Sequence, residues 1–247
     1  MPAYISHTVM AQDVFDNIEN RNVNIDYMLT YSLGGDLAKF SKCNRTCHKE
    51  KMEEFIDNMW LYIKENDLIS NGMYMGVLYG HICHYYMDSV CHPLVRKVDK
   101  LSTYVGFKSH TLIETYIDSY LLKFKYDIDI SKYDTRKLFR GSIFKVYKLI
   151  DYAYVKTYGV KRVSYSYFIT KILYSKIRLL FIIFGKELLK KLFKFNKYMS
   201  VNRDIDILNE NKKIEYTDYL GNNSCDSFME LYNKSINLAV NRIKGLK

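Results

Sequence analysis

Apolar residues recur every three to four positions along most of the chain, which is the spacing of helices with one buried face. Between His7 and about Asn20 the pattern is carried by Val9, Met10, Val14, Phe15 and Ile18. Residues 49–66 repeat it with Met52, Phe55, Ile56, Met59, Trp60 and Ile63. Asn71 is placed to cap a helix from Gly72 to about Cys91, and Pro93 is expected to end it or to open the next segment. Residues 108–125 read as a helix capped by Ser109. Further helices are expected over 135–158, over 163–199 with a break at Gly185, and over 226–244 with Asp226 as N-cap. Period-two alternation is weak everywhere. Its best case, YDIDI at 126–130, reads as a loop. No repeat of 20–50 residues is present. The pattern predicts an all-α protein, one domain spanning 1–247 with seven to nine helices.

Composition narrows this without redirecting it. An apolar fraction of 48% and an aromatic fraction of 15% exclude a disordered chain, and only 2 prolines and 11 glycines exclude collagen-like or low-complexity classes. A chain of 247 residues buries a core without needing disulfides. Its 5 cysteines, an odd number, suit free thiols in a reducing compartment. The N-terminal MPAYISHTVMAQDVF lacks a basic stretch followed by an apolar one, so no secretory signal is expected. The strongest apolar run, LLFIIFG at 179–185, is too short to span a bilayer. These features predict a cytoplasmic protein, with peripheral membrane association left open. Three cysteines precede histidines, at Cys47-His48, Cys83-His84 and Cys91-His92. Thiolate ligation is one reading, and small buried residues packed behind a histidine site is the favoured one.

The chemistry concentrates in GHICHYYMDSVCHP, residues 80–93. His84, Asp88 and His92 stand at i, i+4 and i+8, so one helix face presents all three. His110 and Glu114 form a second i, i+4 pair on the next expected helix. Imidazole and carboxylate donors on facing helices are how helical proteins build metal sites. A single such pair is commonplace, and a lone histidine on an apolar face is usually a hydrogen-bonded core residue. Five ligand types in helical register carry more weight. His7, Asp36 in LGGDLAKF and His48 are further candidates upstream.

Taken together, MPAYISH, LGGDLAKF, CH before an acidic helix, GHICHYYMDSVCHP and SHTLIETYID resemble the bacterial zinc-dependent phospholipase C family, whose fold the P1/S1-type single-strand nucleases share. The ordered pattern falls on His7, Asp36, His48, His84–Asp88, His92 and His110–Glu114. Coverage is strong over about residues 1–125, with a faint likeness again in CDSFMELYNKSINLA at 225–239. The resemblance implies an all-α phospholipase C/P1 nuclease fold holding two to three Zn2+ ions. It implies Asp36, His48 and His84 around one ion, His92, His110 and Glu114 around another, His7 on a third, and Asp88 bridging two. It gives Asp36 the role of orienting or deprotonating the attacking water. The family position of His81 is usually apolar, so His81 is expected to support the ligands or line the cleft rather than to ligate. Secreted members also chelate the third ion through the mature N-terminal residue, and the start of this chain shows no cleavage site that would expose one.

The implied reaction is phosphodiester hydrolysis of a glycerophospholipid by a metal-activated water. Charge bears on the substrate. Residues 1–110 carry 11 Lys+Arg against 13 Asp+Glu, whereas residues 111–247 carry 26 against 14. The Lys-rich amphipathic stretch 171–197 suits an anionic membrane surface, and equally an ordinary helix with a solvated basic face. The same charge would serve a nucleic-acid backbone, which keeps a P1-like nuclease as the alternative. A non-catalytic metal-binding protein of the same fold is the second alternative.

Overall fold

The computed structural model describes residues 4–19, 22–43, 51–101, 109–183 and 206–246. Among them are eight α-helices: α1 Tyr4–Asn17, α2 Ile25–Tyr31, α3 Met52–Glu65, α4 Gly72–Leu101, α5 Ser109–Tyr126, α6 Ile143–Tyr158, α7 Val163–Ile183 and α8 Phe228–Lys244. The only strands among the described residues are β1 Tyr216–Thr217 and β2 Asn223–Ser224, paired antiparallel with Tyr216 opposite Ser224. The protein is all-α, as the apolar spacing predicts.

Helix α4 is the axis of the molecule. Its 30 residues extend about 45 Å at 1.5 Å per residue. Helices α1, α2, α3, α5, α6 and α8 and strand β1 all pack against it. The closest approach is to α2, where α4 presents Gly80. A Cβ there would lie 2.6 Å from the carbonyl oxygen of Met28, so only hydrogen fits between the two backbones. One apolar core runs from Val9, Met10 and Val14 on α1 through Leu78, Ile82 and Val90 on α4 to Leu231 and Tyr232 on α8.

Several boundaries differ from expectation for physical reasons. Helix α4 does not stop at Pro93, which lies inside it. A proline interior to a helix costs about 3 kcal/mol, but Leu94, Val95 and Val98 beyond it are all buried and hold the last turns against the core. Asn71 does cap the start, accepting the Met73 amide at 3.1 Å. Helix α8 is capped by Ser227 rather than Asp226. Ser227 and Glu230 satisfy each other's backbone amides in a complete capping box, which Asp226 is one residue too early to form. The 135–158 segment is divided: a 3₁₀ turn at Thr135–Phe139 is capped by Asp134, and Gly141, whose amide donates to Thr30 Oγ1 at 2.8 Å, separates it from α6. Helix α1 starts three residues before His7, at Tyr4. Among the described residues α5 runs from Ser109. The expected break at Gly185 and most of the basic stretch 171–197 lie outside the described residues. No helix among the described residues is long and apolar enough to cross a membrane.

Candidate metal centre

Four elements bring the candidate ligands to one place. Helix α1 supplies His7, the 3₁₀ turn Gly34–Ala38 supplies Asp36, α4 supplies His84, Asp88 and His92, and α5 supplies His110 and Glu114. Donor atoms of His7, Asp36 and His84 lie within 4.8 Å of one another, as do those of His92, His110 and Glu114. Asp88 stands between the groups. Its Oδ1 is 3.3 Å from His7 Nε2 and 3.3 Å from His92 Nδ1, and its Oδ2 is 3.6 Å from His84 Nε2. Glu114 Oε1 is 3.0 Å from His110 Nε2 and 3.7 Å from His92 Nε2. His7 thus joins Asp36 and His84, where the resemblance sets it apart on an ion of its own. His48 lies outside the described residues, as does Cys47.

Backbone geometry aims these side chains. The ring of His84 donates from Nδ1 to the carbonyl of Ser32 at 3.1 Å. A carbonyl only accepts, so the proton sits on Nδ1 and Nε2 turns its lone pair toward Asp88. Gly34 lets the turn carrying Asp36 pass against that ring. Its φ is +42°, and a Cβ would fall 2.3 Å from ring carbons of His84. Asp118, one turn beyond Glu114, accepts the amides of Ser6 at 2.7 Å and Ile5 at 3.3 Å, and so caps α1 beside His7. Sequence reading missed Asp118, and the only signal for it was that it continues the His110–Glu114 face.

The electrostatics set the ligands apart from one another. Burial opposes protonation of His7, but the hydrogen bond it donates to Asp88 and the charges of Asp88, Asp36 and Asp118 outweigh it and raise its pKa. Burial lowers that of His92, with only partial compensation from Asp88 and Glu114. The hydrogen bond to Glu114 raises that of His110. Burial pushes the Asp118 carboxyl up to about 6, against the amides it accepts. Three carboxylates and four imidazoles crowd a largely buried site, and Nδ1 of His7 is buried there without a hydrogen bond. A buried imidazole nitrogen in that state costs free energy unless a ligand covers it. With Nε2 directed at Asp88, that nitrogen is a lone pair, and the donor set as a whole suits a borderline divalent metal.

His81 is elsewhere. Its Nδ1 donates to the Val77 carbonyl at 2.9 Å, which leaves Nε2 to accept from the Tyr167 hydroxyl at 3.0 Å. It is fully buried between Tyr31 and Phe55, and burial lowers its pKa to about 4. It is therefore a core histidine and does not line the cleft. Cys83 and Cys91 are also buried, and burial raises both thiols well above their ordinary value.

A cleft of about 890 Å³ opens over Asp88 and His92, between the second half of α4 and the β1–β2 hairpin. The fold is all-α and wrapped round one long helix, and its histidine and carboxylate cluster, which meets the cleft at Asp88 and His92, is a candidate centre for a divalent ion. The family model described as zinc-dependent phospholipase C matches residues 1–167. The chain belongs to that family, and zinc is the family's metal. Comparison with curated proteins and with solved structures gave no match.

Proposed function

We propose that the protein is a zinc-dependent phospholipase C that hydrolyses glycerophospholipids. The observation that carries this is the convergence of His7, Asp36, His84, Asp88, His92, His110 and Glu114 into one cluster, of which Asp88 and His92 line an open cleft. Asp36 and His84, with His48, hold one ion; His92, His110 and Glu114 hold a second; and Asp88 lies between them. His7 completes the first group or serves a third ion. Bound zinc supplies Lewis acidity at the phosphoryl oxygens and hydroxide at neutral pH. Asp36 orients the attacking water or takes its proton. Water adds to phosphorus, the bond from phosphorus to the glycerol oxygen breaks, and that oxygen takes up a proton. The products are diacylglycerol and a phosphorylated head group.

The cleft favours lipid over single-stranded nucleic acid. Base stacking needs open ring faces. Of the tyrosines lining the cleft, Tyr216 is buried, the ring of Tyr219 is faced by the Lys234 ammonium at 5.3 Å, and Tyr85 is half-buried with its ring 4.9 Å from that of Tyr86. An open cleft over the ligands likewise favours turnover over passive metal storage.

The test is metal content and substrate choice together. Freshly purified, chelator-free protein is expected to hold two to three zinc ions per chain and to cleave phosphatidylcholine or another glycerophospholipid. Asp88→Asn is expected to abolish hydrolysis and lower the zinc content. Protein free of zinc, or cleavage of single-stranded DNA in place of lipid, overturns the proposal.

A further inference from the structure

The cleft above the candidate centre has two unlike walls, and they bear on which head group it takes. One wall is the continuing face of α4. One and two turns past His92 it presents Arg96, Lys97 and Lys100, at i+4, i+5 and i+8. Among the described residues none of the three forms an ion pair. The neighbouring Asp99 is engaged instead by His110, at 3.7 Å. Arg96 stands one turn beyond His92 on the same face of α4 and lines the same cleft, so the cationic wall begins at the edge of the ligand cluster.

The opposite wall, from the β1–β2 hairpin, offers little that would hold a cation. Asp218 lines it, but its Oδ1 accepts the amides of Leu220 at 2.9 Å and Asn222 at 2.8 Å, and Lys234 is close enough to offset part of its charge. Tyr219 already has Lys234 over its ring, and Tyr216 is buried with its hydroxyl donating to the Asp226 carbonyl. A quaternary ammonium group needs open aromatic faces or free carboxylates. What remains for it is Glu215 and Tyr85, against three cations across the cleft.

Resting on the phospholipase C reading, we propose that the Arg96–Lys97–Lys100 wall selects phospholipids whose head group carries an anion beyond the scissile phosphodiester. That anion is a carboxylate, as in a serine head group, or a second phosphate, as in a phosphorylated inositol. With the diester phosphorus over Asp88 and His92, the head group points along α4 and its extra anion meets the three cations. A choline head group in that place sets a fixed positive charge against them. The cavity is large enough for either anionic head group.

The experiment uses the zinc-loaded full chain and short-chain lipids held below their micellar concentration. General attraction of a basic protein to an anionic surface then plays no part. Diacylglycerol release gives kcat/KM for choline, serine and phosphorylated-inositol head groups. The expected result is a preference of roughly tenfold or more for the serine or the phosphorylated-inositol lipid over choline, the sum of two or three half-exposed ion pairs. The larger of the two identifies the anion. In Lys97→Glu/Lys100→Glu this ratio is expected to fall to about one or below, with zinc per chain unchanged. Arg96→Ala alone is expected to lower it partway. A wild-type preference for choline, or a ratio that the double variant leaves in place, overturns the inference while leaving the phospholipase C reading intact. Zinc-loaded protein that cleaves none of the lipids overturns both.

Discussion

Asp118 is the residue on which the position of His7 depends most directly. It belongs to α5, yet its carboxylate accepts the amides of Ile5 and Ser6 in the first turn of α1, and Ile5 and Ser6 are both buried. Asp118→Ala removes the cap and leaves two amides without an acceptor where water has no access. Loss of a cap costs about 0.5–2 kcal/mol, and a stranded buried donor about 1–3 kcal/mol. The two descriptions overlap, so about 2–4 kcal/mol is expected in all. Asp118→Asn keeps one oxygen for Ser6 but turns an amide group toward Ile5 and removes the charge at a helix N-terminus. A smaller loss of about 1–2 kcal/mol follows. Urea unfolding of the zinc-free protein at pH 7.5 or above, where the Asp118 carboxyl is ionised, measures both. A second readout is zinc titration. His7 follows Ser6 directly, so Asp118→Ala is expected to weaken binding of the ion His7 serves even after lower stability is allowed for. An unfolding midpoint for Asp118→Ala equal to wild type would refute the capping argument. Equal losses for Ala and Asn would also refute it, because the effect would then follow side-chain volume and not hydrogen bonding.

Two further perturbations separate the core from the centre. His81→Phe replaces a buried ring with another and is expected to leave zinc per chain unchanged; loss of metal would mean that His81 is a ligand. The same variant tests its titration: the folded pKa of about 4 lies below the ordinary 6.5, so the stability from a neutral His81 is complete above pH 6.5. It is lost as pH falls toward 4, by up to about 3 kcal/mol. That part of the acid slope should be missing in His81→Phe, and identical slopes would contradict it. Gly34→Ala places a methyl 2.3 Å from the His84 ring at a positive φ. It is expected to cost at least about 1–2 kcal/mol and to lower zinc content, so wild-type stability with full zinc would count against the close approach.

What the sequence made legible was what one element carries by itself. His84, Asp88 and His92 share a face of α4 because four residues make about one turn, and no tertiary information is needed to see it. The long helices were legible for the same reason. Helix α2 was not, because seven residues followed by a Gly-Gly turn offer barely two turns of periodicity. Contacts between distant segments left no local trace. The Ser32 carbonyl that sets the His84 tautomer is 52 residues away, and the amides that engage Asp118 are 112 and 113 away. Pro93 misled for the opposite reason. Its local preference is strong, but burial of the residues after it is stronger. His81, expected to support the ligands or line the cleft, is three positions from His84 yet meets a core tyrosine, whereas His84 meets the carboxylates.

The charge distribution has to be reread in the same terms. The excess of positive charge in residues 111–247 suggested an anionic substrate or surface, and placed the cause in the C-terminal part. Among the described residues, however, the cations that face the cleft are Arg96, Lys97 and Lys100, within the near-neutral first 110 residues. The acidic residues that balance the cations there include Asp36 and Asp88, which join Glu114 at the candidate centre, where two or three zinc ions would more than offset the three carboxylates. With metal bound, the ligand carboxylates no longer cancel the neighbouring wall, and the local potential at the cleft becomes positive whatever the remainder of the chain contributes. On the proposed reading, substrate selection by charge follows from the order of residues along one face of α4, with candidate ligands first and cations one turn later. The net charge of the protein bears instead on its approach to a surface.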